Sequence, residues 1–515
     1  MKKTLTLLVF ALSITISCNK ILPEITPANA DTLPVLREKS NPVPVPEGDA
    51  LSKVDLDKLV IETMERQHDF RWEMVDLKAL WSATLYGDQS VAIGYKPTGF
   101  DNIESIIHKI DLKTDPWKSV HDALIQLVMD ELETQGRATT LENLIVEDDQ
   151  VLPIITFKLT DKNVLTKLYN LENVRYVEPL DYWPGTDADR STSGCSVSTT
   201  GLNSNDYSTT TPNCLLPWNF NNTNIPSAWS SASGLGITIG IIDAGLSSSQ
   251  SLLGSNFNNG DSNVGRTVTT DYTWGSSAYA SCSHGTSMSG TAVGPRNNQG
   301  ATTGVSYKSN LHFIRGCEDV VLDKSSERTG VKNALVKMGN KPEVKIVSMS
   351  VGTPFYSSVL YDGVVYAHNQ GKMLMAAAGT SFSFLSWWGV VYPAVHTQCV
   401  AVTGVNENYN TCSSCHDGSE VDFTIVMERS GNSNRNSLSL KPSGTAASYI
   451  GGSSVATATA AGVAGLVWSL NPNFTREQVF DFLKTTSQYY PGISNYAGYG
   501  TLNAGAAVAA AQAAI

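Results

Sequence analysis

The sequence lacks any long run of basic residues, and its overall charge is acidic. Lys and Arg together number 36 against 48 Asp and Glu, which gives a formal net charge of -12. A protein that binds nucleic acid mainly through phosphate contacts carries a basic patch or stripe. The composition therefore argues against a nucleic-acid partner.

Long apolar runs are also absent after the first twenty residues. A transmembrane helix needs about 20 consecutive apolar residues, and no later segment approaches that length. We therefore expect the mature body of the chain to be soluble. At 515 residues it is too long for one average domain, so two or more folded units are expected.

The first residues, MKKTLTLLVFALSITISCNK, have a short basic start, an apolar stretch and small residues before Cys18. This pattern predicts an export signal over residues 1–17 that is removed from the mature protein. The stretch resembles a bacterial lipoprotein signal, in which the cysteine at the cleavage point is acylated. Cys18 is then a lipidation site and a membrane anchor. Thr15 stands where such signals prefer Leu, and plain secretion without lipidation is the alternative.

The cysteines after Cys18 are odd in number, so at least one is expected to be unpaired or to pair between chains. An exported protein meets conditions that permit disulfides. These residues are Cys195, Cys214, Cys282, Cys317, Cys399, Cys412 and Cys415.

The composition divides the exported chain into four parts. Residues 18–84 contain a Pro-rich stretch that suits an extended tether, followed by a short polar helix. Residues 85–183 have the strand and helix order βαββαβ, which predicts a small α+β domain of ferredoxin-like type. Residues 184–214 are rich in Ser, Thr, Gly and Asn without periodicity, which indicates an exposed linker and a processing site. Residues 215–515 form the remaining, larger domain.

The larger domain contains apolar runs typical of buried strands, separated by helical patterns. The runs are GITIGIID, VKIVSMSVG, KMLMAAAG and CVAVTGV. This alternation predicts an α/β fold with a mostly parallel, doubly wound sheet. Ligands of such sheets bind beyond the carboxyl ends of the strands, so polar residues at those ends are candidate site residues.

Three segments carry candidate catalytic residues, each with a purely structural alternative. Asp243 ends the run GITIGIID, although Asp before Gly is also ordinary turn chemistry. His284 lies in CSHGTSMSGTAVGP, at the start of a helix of small residues, where it could instead be a satisfied core residue. Ser454 lies in GGSSVATATAAG, which alone could be a helix start made small for close packing.

Together these segments resemble the subtilisin-like serine proteases, which carry Asp, His and Ser in this chain order. The matching blocks are IIDAG, HGTSMSGTAVG and GSSVATATAAGVAG, where Ser453 and Ala458 replace the family's Thr and Pro. The resemblance runs from about Leu215 to the C-terminus. It implies a serine endopeptidase in which Ser454 is the nucleophile, His284 the general base and Asp243 the residue that orients the imidazole.

The resemblance also extends to the flanking parts of the chain. The unit at 85–183 resembles the family's inhibitory propeptide, which implies a zymogen. Cleavage in 184–214 would then separate the Cys18 anchor from the catalytic domain, so that processing also releases the enzyme. The partners implied are protein or peptide substrates, the chain's own propeptide and, through Cys18, a membrane. The protein is accordingly expected to be an exported bacterial protein, anchored as a lipoprotein or secreted after processing.

One position departs from the family pattern. The oxyanion-hole Asn of the family follows AAAG, and here Thr380 stands in its place, with no Asn or Gln from Gly371 to Thr397. Loss of such a donor typically costs about 100- to 1,000-fold in turnover, a magnitude measured on a subtilisin. We expect weakened or selective activity, and a catalytically impaired binding protein on the same fold is the alternative.

The resemblance further implies that two strand ends flank the substrate side chain before the scissile bond and pair with the substrate backbone as an added strand does. The alternative is that they are plain strand ends packed in the sheet. The residues concerned are Ser350, Val351, Gly352, Ala376, Ala377, Ala378 and Gly379.

The motif CSSCH, Cys412 to His416, matches the attachment pattern of a c-type haem. Because it occurs once and lies in what resembles a family Ser/Gly loop, a local disulfide or free thiols are the favoured interpretation. Two cysteines and one histidine are also too few for a structural zinc site. We expect no cofactor and no bound metal, although structural calcium is common in the family and has no local motif here.

Overall fold

A computed structural model describes residues 35–185, 194–380 and 389–515. The expected signal peptide, Cys18, the first part of the tether and residues 186–193 of the expected linker lie outside the described residues. No helix within the described ranges is both long and apolar enough to cross a membrane.

The small domain is a four-stranded antiparallel sheet in the order β2-β3-β1-β4, preceded by two helices. Its strand and helix order agrees with the βαββαβ order expected from the sequence. All six residues of β1 are buried, since helices cover one face of the sheet and the large domain covers the other. The elements are α1 Lys53–Gln67, α2 Leu77–Tyr86, β1 Ser90–Tyr95, α3 Trp117–Thr134, α4 Leu141–Leu144, β2 Ile145–Asp148, β3 Ile154–Lys158, α5 Lys162–Tyr169 and β4 Val174–Pro179.

Residues 35–48, in the part of the chain expected to be an extended tether, form hydrogen bonds with the small domain. The backbone N–H of Lys39 donates to the carbonyl of Asn170 at 2.7 Å, and that of Arg37 donates to Asn173 Oδ1 at 2.8 Å. A Pro-rich stretch has no periodicity of its own, so these contacts with a distant segment are not visible in its sequence.

The large domain is built on a nine-stranded, mostly parallel sheet in the order β15-β14-β13-β12-β11-β10-β7-β9-β8. Its last two strand pairs, β13 with β14 and β14 with β15, are antiparallel. The predicted α/β class with a mostly parallel sheet is confirmed. The strands are β7 Thr238–Asp243, β8 Val268–Tyr272, β9 Asn310–Arg315, β10 Val344–Met349, β11 Met373–Ala377, β12 Cys399–Asn406, β13 Phe423–Arg429, β14 Asn432–Leu440 and β15 Ala447–Ile450.

Helices cover both faces of this sheet. The long helix α10 packs on one face with α7, and α8 and α9 pack on the other. Close packing of α10 requires small residues, because a Cβ at Gly462 would lie 2.5 Å from Val305. The helices are α6 Ile225–Ala228, α7 His284–Val293, α8 Ser325–Gly339, α9 Ser358–Asn369, α10 Gly452–Trp468, α11 Arg476–Thr485 and α12 Ala504–Ala513.

The described part of the expected linker, 184–214, is mostly exposed and is attached to the large domain. Residues 194–217 lie against the large domain, where β5 Tyr207–Thr210 pairs with β6 Cys214–Pro217 and Cys195 forms a disulfide with Cys282. The partner of Cys195 lies 87 residues away, so the Ser/Thr-rich composition carries no signal of this attachment.

Candidate functional site

Asp243 and His284 form a buried hydrogen-bonded pair at the carboxyl edge of the sheet. β7 ends on Asp243, which is fully buried and accepts a hydrogen bond from the backbone N–H of Ala244 at 2.7 Å. His284 begins α7, and its Nδ1 lies 2.9 and 3.0 Å from the two carboxylate oxygens of Asp243. Because Nδ1–H donates to the carboxylate, the neutral imidazole keeps Nε2 as a proton acceptor.

The environment of His284 shifts its titration. Burial disfavours the imidazolium, but the charge of Asp243 and its hydrogen bond to the ring outweigh that effect, and the pKa of His284 lies above its usual value. A base of this kind stabilises the proton it accepts during a reaction.

Ser454 is the one residue of α10 that is not buried. It lies in the first turn of the helix and lines one cavity together with His284. The preceding Ser453 is buried, and its hydroxyl accepts a hydrogen bond from the backbone N–H of Gly379 at 3.1 Å. Of the two adjacent serines, Ser453 is therefore used in packing, and Ser454 is available to a ligand.

Thr380 lies beside Ser454, and the resemblance assigns it the position of the family's oxyanion-hole Asn. Its Oγ1 is 3.3 Å from the Ser453 hydroxyl, and Thr380 lines both cavities that Ser454 lines. The loop before it must carry Gly379, whose φ is +124° and whose Cβ would lie 2.6 Å from His416 Nδ1. The side chain that this loop presents beside Ser454 carries a hydroxyl in place of an amide.

A cleft on one side of Ser454 contains five of the seven residues expected to contact substrate. Its volume, including the part open to solvent, is about 340 Å³. Ala376 and Ala378 are fully buried in the sheet and do not line it. The expected residues that do line it are Ser350, Val351, Gly352, Ala377 and Gly379.

The backbone of Gly352 is already paired within the chain. Its N–H donates to the carbonyl of Val320 at 2.8 Å, and its carbonyl accepts from the N–H of Leu322 at 2.8 Å. A substrate strand that pairs with Gly352 would have to displace these two bonds. Val320, which also lines the cleft, had no sequence signal because it lies in a loop without a recognisable motif.

A second cavity that Ser454 lines is formed partly by residues that the sequence predicted only as a linker with a processing site. Residues 196–200 line it together with His284, Ser454 and the chain from Tyr449 to Gly451. The disulfide between Cys195 and Cys282 attaches this segment to the chain two residues before His284.

Among the described residues, two disulfides and three buried thiols account for the cysteines after Cys18. Cys412 and Cys415 are joined to each other, so their sulfur atoms do not fit the thioether links of a c-type haem. The one cluster of three possible metal ligands in the described ranges is Cys195, Cys282 and Asp319, and its two sulfur atoms are also joined to each other. The thiols are Cys214, Cys317 and Cys399.

Comparisons with known proteins relate this arrangement to one family. Residues 234–500 match the model of the subtilase family, Peptidase_S8. The chain is 33% identical over 276 residues to subtilisin amylosacchariticus from Bacillus subtilis subsp. amylosacchariticus, a match that covers 53% of the chain but only 66% of that relative. It is 30% identical over 285 residues to thermitase from Thermoactinomyces vulgaris, covering 55% of the chain and 92% of thermitase.

A solved structure extends the likeness in fold. The crystal structure of fervidolysin from Fervidobacterium pennivorans, described as a keratinolytic enzyme related to subtilisin, matches with a TM-score of 0.55 at 16% identity. The match covers 82% of this chain and 61% of fervidolysin.

Proposed function

Because the chain belongs to the subtilase family, we propose that it is a serine endopeptidase that hydrolyses peptide bonds through Asp243, His284 and Ser454. In this mechanism Ser454 Oγ attacks the peptide carbonyl while His284 Nε2 takes its proton and then returns it to the leaving amine. Asp243 fixes the ring and stabilises its cation. Water hydrolyses the resulting acyl-enzyme.

The observation that carries this proposal is the exposure of Ser454 alone on an otherwise buried helix, in the cavity that His284 lines. Ser453 also borders the cleft, but it is 1% exposed and its hydroxyl accepts a hydrogen bond from the Gly379 N–H, so Ser454 is the serine that a substrate can reach. The N-terminus of α10 adds a favourable field for the negative charge that acyl transfer develops near Ser454.

The position of Thr380 favours a second candidate, a catalytically impaired binding protein on the subtilase fold. The Thr380 hydroxyl lies within reach of the Ser453 hydroxyl, which competes with a substrate oxygen for it. The backbone N–H of Ser454 remains as a donor to the oxyanion. We therefore propose an enzyme with reduced turnover as the first candidate and a binding protein without turnover as the second.

We further propose that the small domain is an inhibitory propeptide of a zymogen. Its carboxylates cap the two large-domain helices on which it packs. Glu178 accepts hydrogen bonds from Ser357 Oγ at 2.7 Å and from Val359 N–H at 3.1 Å, at the start of α9. Asp181 accepts from Ser325 N–H at 2.6 Å, at the start of α8. Negative charge at helix N-termini is favourable, so both helices gain from the small domain.

Ionic contacts also hold the small domain in place. Arg175 forms two hydrogen bonds with Asp362, at 2.9 and 2.7 Å. Lys332 of α8 is fully buried between the domains, where it pairs with Glu147 at 3.1 Å and with Asp149. Buried charges are tolerated only when paired, so these groups match the two surfaces specifically to each other.

The end of the small domain is held by α1, close to the proposed processing site. Asp57 accepts hydrogen bonds from Tyr182 OH at 2.8 Å and from Gly185 N–H at 3.0 Å. Lys53 Nζ donates to the carbonyl of Trp183 at 3.0 Å. We propose that α1 fixes the chain on the upstream side of a cut between Gly185 and Gly194.

Export is part of the same proposal. The N-terminal signal and Cys18 motivate a lipid-anchored precursor, and disulfides are typical of proteins outside the cytoplasm. A cut after the small domain then separates the anchor from the large domain. Mature large domain still joined to acylated Cys18 would contradict this release.

The experiment that tests the proposal compares the exported protein with its Ser454→Ala variant in a host that lacks other secreted proteases. Intact mass and N-terminal sequencing should find a cut within 184–214 in the wild type and none in Ser454→Ala. A fluorophosphonate probe should label only the wild type. If neither protein is cut and neither is labelled, the binding-protein candidate replaces the enzyme.

A further inference from the structure

Residues 194–206, here called the strap, run from the inter-domain junction along the cavity that contains His284 and Ser454. Ser196 to Thr200 line that cavity. The strap has no regular structure over most of its length, so its position depends on attachments at its two ends.

The first attachment is covalent and lies beside the catalytic histidine. Cys195 is joined to Cys282, two residues before His284. The neighbouring Gly194 donates its N–H to Asp319 Oδ1 at 3.2 Å, and a Cβ at Gly194 would lie 2.5 Å from Val320. The strap backbone is thus pressed against the wall of the cavity at this end.

The second attachment is a buried ionic cluster that leads to the helix of Ser454. Asp206 is fully buried and accepts hydrogen bonds from Arg429 Nε at 2.9 Å, Arg435 Nε at 2.7 Å and Tyr449 OH at 2.5 Å. The Tyr449 hydroxyl also accepts from Asn203 N–H at 3.0 Å. Tyr449 belongs to β15, which ends directly before α10. Both ends of the strap are therefore fixed next to catalytic residues, since Cys282 comes two residues before His284 and β15 comes directly before the helix of Ser454.

The strap lies beside His284, the residue that gives a proton to the leaving group in the proposed mechanism. The cleft with Ser350 and Gly352 and the cavity of His284 and the strap share Val320, Thr380 and Ser454 in their linings, so the two adjoin at Ser454. Since His284 gives its proton to the leaving amine, substrate residues after the scissile bond pass through the His284 cavity.

The lining of this cavity is polar but largely uncharged. The strap contributes hydroxyl groups to it, and β14 contributes amides from the opposite side. Among the described residues that line this cavity, only His284 can change its charge near neutral pH. The contributing side chains are Ser196, Ser198, Thr199, Thr200, Asn434 and Asn436.

We propose, on the premise of the proposed endopeptidase, that the strap forms the subsites for the residues after the scissile bond. These subsites select polar, uncharged side chains such as Ser, Thr, Asn and Gln. Their position depends on the Cys195–Cys282 disulfide. Without that link the upstream end of the strap keeps only the hydrogen bond from Gly194 N–H to Asp319, and the cluster at Asp206 holds the other end. A site built to hydrogen-bond a substrate discriminates strongly against analogues that cannot form those bonds.

The test uses pairs of internally quenched peptides that are identical before the scissile bond and carry either Ser-Asn or Leu-Leu after it. A p-nitroanilide with the same preceding residues has no amino acid on the leaving-group side and measures catalysis alone. The readout is the ratio of kcat/KM between the two peptides, in which a change common to all substrates cancels. The wild-type ratio should favour the polar peptide by about tenfold, the effect of one or two neutral hydrogen bonds.

The variant S198A/T200V removes two hydroxyls from the cavity, and S208A/T209V removes the same two groups from exposed positions of β5 as its control. The first should reduce the polar preference to about one, and the second should leave it unchanged. C195S/C282S should also abolish the preference while p-nitroanilide hydrolysis persists.

Two results would overturn the proposal. An unchanged ratio in S198A/T200V means that the strap does not form the subsites, and an unchanged ratio in C195S/C282S means that the disulfide does not position them. Failure of the wild type to hydrolyse any of the substrates would instead refute the proposed endopeptidase. The two failures are therefore distinguishable.

Discussion

Replacing Asp362 by Ala should loosen the small domain without altering the catalytic residues. Asp362 lies on α9, is 1% exposed and accepts two hydrogen bonds from Arg175 and one from Tyr176 OH at 3.0 Å. Loss of one partner from a buried ion pair costs about 3–5 kcal/mol when the remaining charge has no other partner, and Glu104, 3.5 Å from Arg175, makes this range an upper limit here. At 1.4 kcal/mol per decade, this range corresponds to binding of the small domain that is weaker by at most about 140- to 3,700-fold after processing.

The penalty should fall on the complex and not on the free large domain. Asp362 meets Arg175 and Tyr176 only across the domain interface, so its carboxylate has no comparable partner once the small domain has left. A double variant, Arg175→Met with Asp362→Leu, should recover much of the affinity, because apolar residues of similar size replace buried pairs with little loss.

The assay follows processed protein by native mass spectrometry and records the time at which peptidase activity appears. Asp362→Ala should give less retained complex and earlier activity than the wild type. Asp271→Ala is the control, since it breaks the exposed Lys337–Asp271 pair of the large domain and should change little. Retention of the small domain by Asp362→Ala with wild-type affinity would refute the assignment of this buried pair as a main contact.

Three further predictions concern the catalytic site. Thr380→Asn supplies an amide donor and should raise kcat on a peptide anilide by up to about 100-fold, whereas Thr380→Val should lower it; equal rates for all three proteins would mean that position 380 does not contact the oxyanion. Because the pKa of His284 is raised above 6.5 and the ring must be neutral to accept a proton, the acid limb of kcat/KM against pH should lie above that value, and a limb at or below it contradicts the pairing with Asp243. Asp243→Asn should lower kcat by about 10⁴-fold in steady-state assays while the circular dichroism spectrum is unchanged; a small loss would show that Asp243 does not set the tautomer.

The features that the sequence predicted well are those determined by residues close together in the chain. The run TIGIID is buried on both faces, so its composition alone indicates a central strand, and Asp243 follows from its last position. His284 and Ser454 each begin a helix made of small residues, which is visible as a block of Gly, Ala, Ser and Thr. Their convergence needed the chain order of three blocks, because no single block fixes a distance to another.

The parts that escaped prediction depend on partners far away in the chain. The strap has no periodicity, and its fixed position comes from Cys282 and from Arg429 and Arg435, which lie more than 80 and more than 220 residues away. The pairing of Gly352 with Val320 was equally invisible, since backbone hydrogen bonds carry no residue signature. Composition distinguishes loops from core segments, but it does not distinguish a free loop from one whose ends are bonded to distant residues.

The attachments of Gly185 and Gly194 bear on how the proposed cut between them would convert an inactive precursor into an active enzyme. On the upstream side, α1 holds Gly185 through Asp57, and on the downstream side Asp319 and Cys282 hold Gly194 and Cys195. If the proposed cut falls between these points, Gly185 and Gly194 each stay attached to their own domain afterwards. The proposed zymogen therefore predicts that inhibition ends only when the small domain dissociates, so that the strength of its buried ion pairs sets the delay between cleavage and activity. The disulfide should keep the strap at the His284 cavity throughout.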